Sequence, residues 1–147
     1  MSRLLIVSNR LPVTVGMDQD KPAFSPSVGG LATGIASLET EKDRIWFGWP
    51  GIEKNRLTEK NMHAITAGLK DFGSSPVFLT KRDVQDFYFG FSNKTIWPLF
   101  HYFTRFASFD ETYWKSYRMV NKKFCNAILA EAKPNDTIWV HDYQLML

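Results

Sequence analysis

The sequence predicts an α/β protein built on a Rossmann-like parallel sheet, and three observations support this. Four short apolar runs have the composition of strands that are buried on both faces. Segments with helical spacing alternate with those runs, which favours parallel strands joined by right-handed crossovers. Finally, 147 residues are enough to bury the core of one domain.

The predicted strands are residues 3–8, 44–49, 76–79 and 137–140. Turn-forming residues follow the first two, as Asn-Arg-Leu-Pro and as Pro50-Gly51. Between these two strands, residues 13–28 are rich in Gly, Asp, Pro and Ser, which predicts a loop with a small hairpin.

The helices are predicted from spacing and caps. Residues 31–38 and 57–69 have helical patterns, and Thr80 is expected to cap a helix that runs through residue 89. The aromatic segment 93–102 is expected to break at Pro98. Residues 111–132 form the longest predicted helix, with an apolar stripe at intervals of three or four residues.

Composition excludes several classes of function. The net charge of +3 comes without a Lys/Arg run, which argues against nucleic acid and suits a small anionic ligand. No apolar run approaches a membrane span, and no His/Cys cluster has metal-ligand spacing. One cysteine cannot form an internal disulfide, so we expect a reducing, cytoplasmic location.

Ligands of open α/β sheets bind beyond the carboxyl ends of the strands. Arg10 follows the first predicted strand and Asp142 follows the last. If these strands are neighbours, a phosphate-binding cation and a hydroxyl-binding carboxylate share one edge. The alternative is that the two residues only form an ion pair with each other, and spacing alone leaves both open.

Two further features are ambiguous when taken alone. Gly29-Gly30 at a predicted helix start could bring backbone N–H groups to a phosphate, or could only form a tight turn. Tyr88 and Trp97 could form aromatic walls for a sugar, although a segment this apolar is more often core.

Five motifs in order resemble the start of the trehalose-6-phosphate synthases, which are retaining glycosyltransferases with two Rossmann-like domains (GT-B, family 20). The motifs are SNRLPV (8–13), GGLATG (29–34), WFGWPG (46–51), WPLFHY (97–102) and WVHDYQLML (139–147). The resemblance implies transfer of glucose from a nucleotide sugar, usually UDP-glucose, to glucose 6-phosphate, without a metal or other cofactor.

The resemblance also implies roles for individual residues. Glucose 6-phosphate, the acceptor, would be bound by Arg10, Tyr88, Trp97 and Asp142, and the donor diphosphate by Gly29 and Gly30. Family positions that neutralise the leaving diphosphate would lie beyond residue 147. We therefore expect residues 1–147 to be an incomplete N-terminal acceptor domain that lacks the C-terminal nucleotide-sugar domain, and to be inactive alone.

Two departures from the family pattern are visible: Gln144 replaces a usual histidine, and Phe87 a common tyrosine. Neither lies at an assigned contact. Two other functions remain open, namely a glucosylglycerol-phosphate synthase that uses glycerol 3-phosphate, and a non-catalytic homologue that binds sugar phosphates. The sequence also leaves open the donor nucleotide, a fused phosphatase domain and a homo-oligomeric state.

Overall fold

The computed structural model describes residues 2–27 and 43–147. Its strands are β1 (Leu4–Arg10), β2 (Val13–Asp18), β3 (Lys21–Pro26), β4 (Arg44–Trp49), β5 (Ser74–Pro76) and β6 (Thr137–Val140). The main sheet has the order β5-β4-β1-β6 with every neighbouring pair parallel, so the predicted Rossmann-like sheet is confirmed. The predicted helix 31–38 lies outside the described residues.

The helices lie between the strands, as predicted. They are α1 (Glu59–Lys70), α2 (Lys81–Asp83), a π-helix (Val84–Ile96), α3 (Trp97–Phe100) and α4 (Glu111–Glu131). Short 3-10 helices span Lys54–Arg56, Thr104–Phe106 and Tyr143–Leu145. None of the helices in these ranges is long and apolar enough to cross a bilayer.

The sheet is covered on both faces, which explains why β1 is a continuous apolar run. Leu5 and Val7 pack with the apolar stripe of α4, whereas Ile6 packs on the opposite face with α1 and the β2–β3 hairpin. In α4 the stripe contains Tyr117, Val120, Phe124 and Ile128. Alternate side chains of β1 thus belong to two separate hydrophobic cores, one on each face of the sheet.

The predicted hairpin is formed by β2 and β3, which pair in antiparallel register from Val13–Pro26 to Asp18–Lys21. Its two-residue turn places both Gln19 and Asp20 at positive φ, 44° and 62°. Positive φ at both central positions is the backbone of a type I′ turn, whose twist matches that of the strands it joins.

The break predicted at Pro98 is wrong, because the helical chain continues without interruption from Lys81 to Phe100. Pro98 has no N–H for the carbonyl of Lys94, and the Ser108 N–H donates to that carbonyl instead at 2.7 Å. The Thr80 cap is confirmed, since its side chain accepts from Asp83 N.

Strand β5 was predicted two residues too late. It pairs with β4 over Ser74–Pro76 rather than over residues 76–79. The apolar side chains that suggested a strand, Val77 and Leu79, are nevertheless buried. Hydrogen bonding to β4 ends with the Val77 N–H, which donates to the Gly48 carbonyl at 2.8 Å, whereas burial continues to Leu79. An apolar pattern cannot distinguish burial of this kind from strand pairing.

Candidate functional site

The carboxyl ends of β1 and β6 are adjacent, as the site prediction required, since Val7 is paired with Val140 in parallel register. Hydrogen bonds of a buried serine hydroxyl hold the backbone at the end of β1. Ser8 Oγ donates to the Arg10 carbonyl at 2.7 Å and accepts from Trp46 Nε1 at 2.7 Å. The β1–β4 register shifts between Val7 and Arg10, and such irregularities re-aim the side chains that follow.

Arg10 has no carboxylate partner within the described ranges, so it does not form the ion pair with Asp142 that the sequence left open. Its guanidinium donates to Thr14 Oγ1 at 3.1 Å and lies 4.8 Å from the Trp49 ring centroid. Gly51, at φ 88°, leaves room for it, because a Cβ there would lie 2.6 Å from the guanidinium. Partial burial lowers the pKa of Arg10, and interaction with Tyr88 opposes that shift.

Asp142 stands at the end of β6 in a strained conformation. Its φ of 73° and ψ of 169° lie in a region that is almost restricted to glycine. Its exposed carboxylate accepts a hydrogen bond from Tyr143 N at 2.8 Å. A non-glycine residue kept in this conformation is a feature that clusters at functional sites.

Two phenols, Tyr88 and Tyr143, interact electrostatically with the charged groups at this edge. Burial raises the pKa of Tyr143, and Asp142 and Tyr88 raise it further. Tyr88 affects the pKa of both Arg10 and Tyr143, so its phenol lies near both groups. Tyr143 Oη also donates to Asn93 Oδ1 at 3.4 Å.

Two buried polar atoms at the same edge have no hydrogen-bond partner in the described part of the chain: Asn9 Oδ1 and His141 Nε2. Buried polar atoms are nearly always paired, so two orphans at adjacent strand ends indicate a site that is completed by something else. Burial lowers the pKa of His141, with Asp142 acting in the opposite direction. The imidazole packs on Trp139 at 4.3 Å between ring centroids.

Trp97 is not in direct contact with this group. Its ring stacks on His101 at 4.1 Å and lies 6.3 Å from Phe103. The connection runs along the helix, because Phe100, in the next turn, has its ring 6.4 Å from that of Tyr143. Trp97 is 41% exposed, so part of its surface is available to a ligand.

Gly29 and Gly30 lie outside the described residues. The chain just before them is defined: Ser27 Oγ is hydrogen bonded to Thr14 Oγ1 at 2.8 Å. Thr14 is also the acceptor for Arg10. Ser27, two residues before Gly29, is therefore tied to the residue that holds the arginine.

Sequence reasoning missed Trp49, Tyr143 and Asn93. Trp49 and Tyr143 belong to two of the quoted motifs, WFGWPG and WVHDYQLML, so those motifs carried a signal for both residues. Asn93 carries no comparable signal, since its place depends on how the helix winds. No group of His, Cys, Asp or Glu within residues 2–27 and 43–147 could hold a metal ion.

Comparison with known proteins gives a consistent result. The model of glycosyltransferase family 20 matches residues 2–147. The chain is 43% identical over 148 residues to a UDP-forming α,α-trehalose-phosphate synthase 1 of Aspergillus fumigatus, covering 99% of the chain and 28% of that protein.

Solved structures agree with the sequence match. A UDP-forming α,α-trehalose-phosphate synthase from Burkholderia vietnamiensis superimposes with a TM-score of 0.71 at 34% identity, covering 99% of this chain and 29% of that one. One from Burkholderia xenovorans, in complex with glucose-6-phosphate, gives 0.69 at 30% identity, covering 98% and 29%. The chain thus spans less than a third of the length of the relatives that it matches.

Proposed function

The chain belongs to glycosyltransferase family 20, and on that premise we propose that it is the acceptor-binding part of a UDP-forming α,α-trehalose-phosphate synthase. The proposed reaction transfers glucose from UDP-glucose to glucose 6-phosphate. The acceptor hydroxyl forms a bond to the anomeric carbon, the bond from that carbon to the diphosphate breaks, and the hydroxyl proton is lost. The products are trehalose 6-phosphate and UDP.

One observation carries the assignment to the acceptor: Arg10 is a cation without a described carboxylate partner at the edge where Asp142 is exposed. A guanidinium is matched in shape to phosphate oxygens, and a carboxylate to sugar hydroxyls. Glucose 6-phosphate presents both groups, one at each end of the molecule. The xenovorans relative is a structure with that sugar phosphate.

The aromatic and phenolic groups fit the same ligand. Trp49 holds the guanidinium in place from one side, which reduces the rotamer freedom that phosphate binding would otherwise remove. Tyr88 and Trp97 are proposed to line the sugar. Its binding would position one hydroxyl for attack, and such positioning can supply several kcal/mol of the barrier.

The donor diphosphate is proposed to meet the backbone at Gly29 and Gly30. Support comes from the GGLATG motif and from the tether of Ser27 to Thr14 beside Arg10. The remaining donor contacts, including the charges that neutralise the leaving diphosphate, are proposed to come from a C-terminal nucleotide-sugar domain outside residues 1–147. Residues 1–147 alone are then expected to be catalytically inactive.

The test is an acceptor assay on the complete enzyme that carries this chain. UDP release and product identity are measured with glucose 6-phosphate and, in parallel, with glycerol 3-phosphate. We expect trehalose 6-phosphate from the first acceptor and little turnover of the second. Preference for glycerol 3-phosphate would replace the proposal by the glucosylglycerol-phosphate synthase, and binding without turnover would indicate a non-catalytic homologue.

A reducing, cytoplasmic location is proposed as well, and its support is the single cysteine. A homo-oligomer of the complete enzyme is a further proposal, which light scattering on the purified protein would test.

A further inference from the structure

The helix that carries Tyr88 and Trp97 is wound differently from an α-helix. Residues Val84–Ile96 form a π-helix, in which the Trp97 N–H donates to the carbonyl of Ser92, five residues back. Ser92 Oγ spans the same interval by donating to the Phe87 carbonyl at 2.8 Å. A turn closed over five residues advances each residue by roughly 80°, compared with roughly 100° in an α-helix.

This winding determines which side chains share a face. Over the nine residues from Tyr88 to Trp97, an α-helix would turn through roughly 900° and place the two on opposite sides. The π-helix turns through roughly 740° up to Trp97, which leaves them within roughly 20° of one another. Asn93 falls roughly 40° from Tyr88 in the π-helix, but it would fall roughly 140° away in an α-helix.

The contacts agree with this geometry. Asn93 Oδ1 accepts from Tyr143 Oη, Tyr88 interacts with the same phenol, and the Phe100 ring packs at its edge. Tyr88, Asn93 and Phe100 thus reach one side chain from three different turns of the helical segment. The neighbouring Lys94 points elsewhere, with its ammonium 5.8 Å from the centroid of the Tyr113 ring.

Asn93 also has unused hydrogen-bonding capacity. Its side chain is half-buried, and within the described ranges its Nδ2 has no hydrogen-bond partner. The Tyr143 bond to Oδ1 orients the carboxamide so that the amino group is the end left over. A half-buried amide donor beside Tyr88 and Tyr143 suits an oxygen of a polar ligand.

We propose that Asn93 is a further acceptor-binding residue, which the π-helical winding sets on one face with Tyr88 and Trp97, and that its Nδ2 donates to a hydroxyl of the sugar phosphate. This inference rests on the proposed function, because it assumes that a sugar phosphate occupies the site beside Arg10 and Asp142. It adds a contact that would recognise the hydroxyls of the sugar rather than its phosphate.

The experiment uses the complete enzyme and compares Asn93→Ala with Asn126→Ala, an asparagine exposed on α4. Affinity for glucose 6-phosphate is measured by calorimetry, together with affinities for its 1-deoxy (1,5-anhydroglucitol 6-phosphate), 2-deoxy, 3-deoxy and 4-deoxy analogues. Loss of one neutral hydrogen bond should weaken glucose 6-phosphate binding by about 3- to 10-fold in Asn93→Ala. For the analogue that lacks the partner hydroxyl, Asn93→Ala should have almost no further effect.

The possible outcomes distinguish the proposed function from the proposed role of Asn93. No glucose 6-phosphate binding by the unmodified enzyme would refute the proposed function itself. Normal binding with Asn93→Ala matching Asn126→Ala would refute only the role of Asn93. An equal loss of affinity for all five ligands in Asn93→Ala would also overturn the direct contact, because Asn93 would then act only by orienting Tyr143. Thermal unfolding of both variants checks that neither has lost its fold.

Discussion

At the amino ends of β1 and β6, Arg3 and Asp136 form an ion pair, whereas at the carboxyl ends of the same strands Arg10 and Asp142 do not. The Arg3 side chain donates to both oxygens of Asp136, with the shortest contact at 2.6 Å. The backbone N–H groups of Arg3 and Lys133 donate to that carboxylate as well, at 3.1 and 2.9 Å. The hydrogen bond from Arg3 holds the pKa of Asp136 far below its ordinary value.

The same two residue types therefore have opposite surroundings at the two edges of one sheet. The amino edge satisfies its charges internally and joins the ends of two strands. The carboxyl edge keeps an arginine without a described carboxylate partner, a strained aspartate and two orphaned polar atoms. Proteins tolerate backbone strain and unpaired polar groups where a ligand is to be bound. The contrast therefore indicates that the amino edge is structural and the carboxyl edge functional.

Removing the charge at the carboxyl edge should have the largest effect. Arg10→Ala is expected to weaken glucose 6-phosphate binding by about 100-fold, because a charge-assisted, bidentate phosphate contact is lost. It should lower the thermal midpoint only slightly, since it breaks no described ion pair and removes only an exposed hydrogen bond to Thr14 and the contact with Trp49. Calorimetry and thermal unfolding measure the two quantities, with the exposed Arg56→Ala as the matched control. Unchanged affinity would remove Arg10 from the site.

Removing the charge at the amino edge should have the reverse profile. Arg3→Ala leaves the carboxylate of Asp136, which is almost fully buried, without its main partner, so the thermal midpoint should fall by several degrees. Affinity for glucose 6-phosphate should stay within a factor of about two, as expected for a change at the far edge of the sheet. A large loss of affinity with normal stability would contradict the division between the edges.

Relief of strain at the carboxyl edge should trade binding for stability. Glycine adopts the backbone conformation of Asp142 without penalty, so Asp142→Gly is expected to raise the free energy of unfolding by about 1 kcal/mol. Acceptor affinity should fall at the same time because the carboxylate is lost. Chemical denaturation provides the first measurement and calorimetry the second. A variant less stable than the parent would show that the backbone conformation of residue 142 does not destabilise the fold.

The smallest of the expected effects is a change in how stability declines at low pH. Because the pKa of Asp136 is lowered on folding, its contribution to stability is complete above the unfolded value of about 4 and is lost as the pH falls towards the folded value. Stability of the parent should therefore decline below about pH 4, and Asp136→Asn should show a shallower decline there. Parallel acid-denaturation curves for the two proteins would disprove this assignment.

The sequence was sufficient for features that local patterns determine. Strands β1, β4 and β6, helix α4 and the Thr80 cap follow from apolar runs, helical spacing and cap chemistry. Because the carboxyl ends of neighbouring parallel strands meet at one edge of the sheet, the sequence also predicted that Arg10 and Asp142 lie there together. No local sequence pattern indicates the π-helical winding or the hydrogen bond from Ser108 N–H to the carbonyl that Pro98 leaves unpaired, and neither was predicted.

The site divides in the same way. Arg10 and Asp142 could be predicted because each ends an apolar strand. Asn93 could not be predicted, because the direction of its side chain depends on the hydrogen-bonding period of its helix. Trp49 could not be predicted either, because its position opposite Arg10 depends on the register shift at the end of β1. The roles given to Gly29 and Gly30 stay predictions, since those residues lie outside the part of the chain that the structure describes.

Because this segment is a π-helix, its length as well as its composition determines which side chains share the face that we propose lines the acceptor. Deleting one residue between Tyr88 and Trp97 would rotate the residues downstream by roughly 80°, so Trp97 would no longer share a face with Tyr88. Homologues that differ by a single residue here would present different walls with no change at Arg10 or Asp142. For redesign of acceptor choice, a one-residue length library of this helix is therefore a more direct starting point than point mutagenesis of the charged groups.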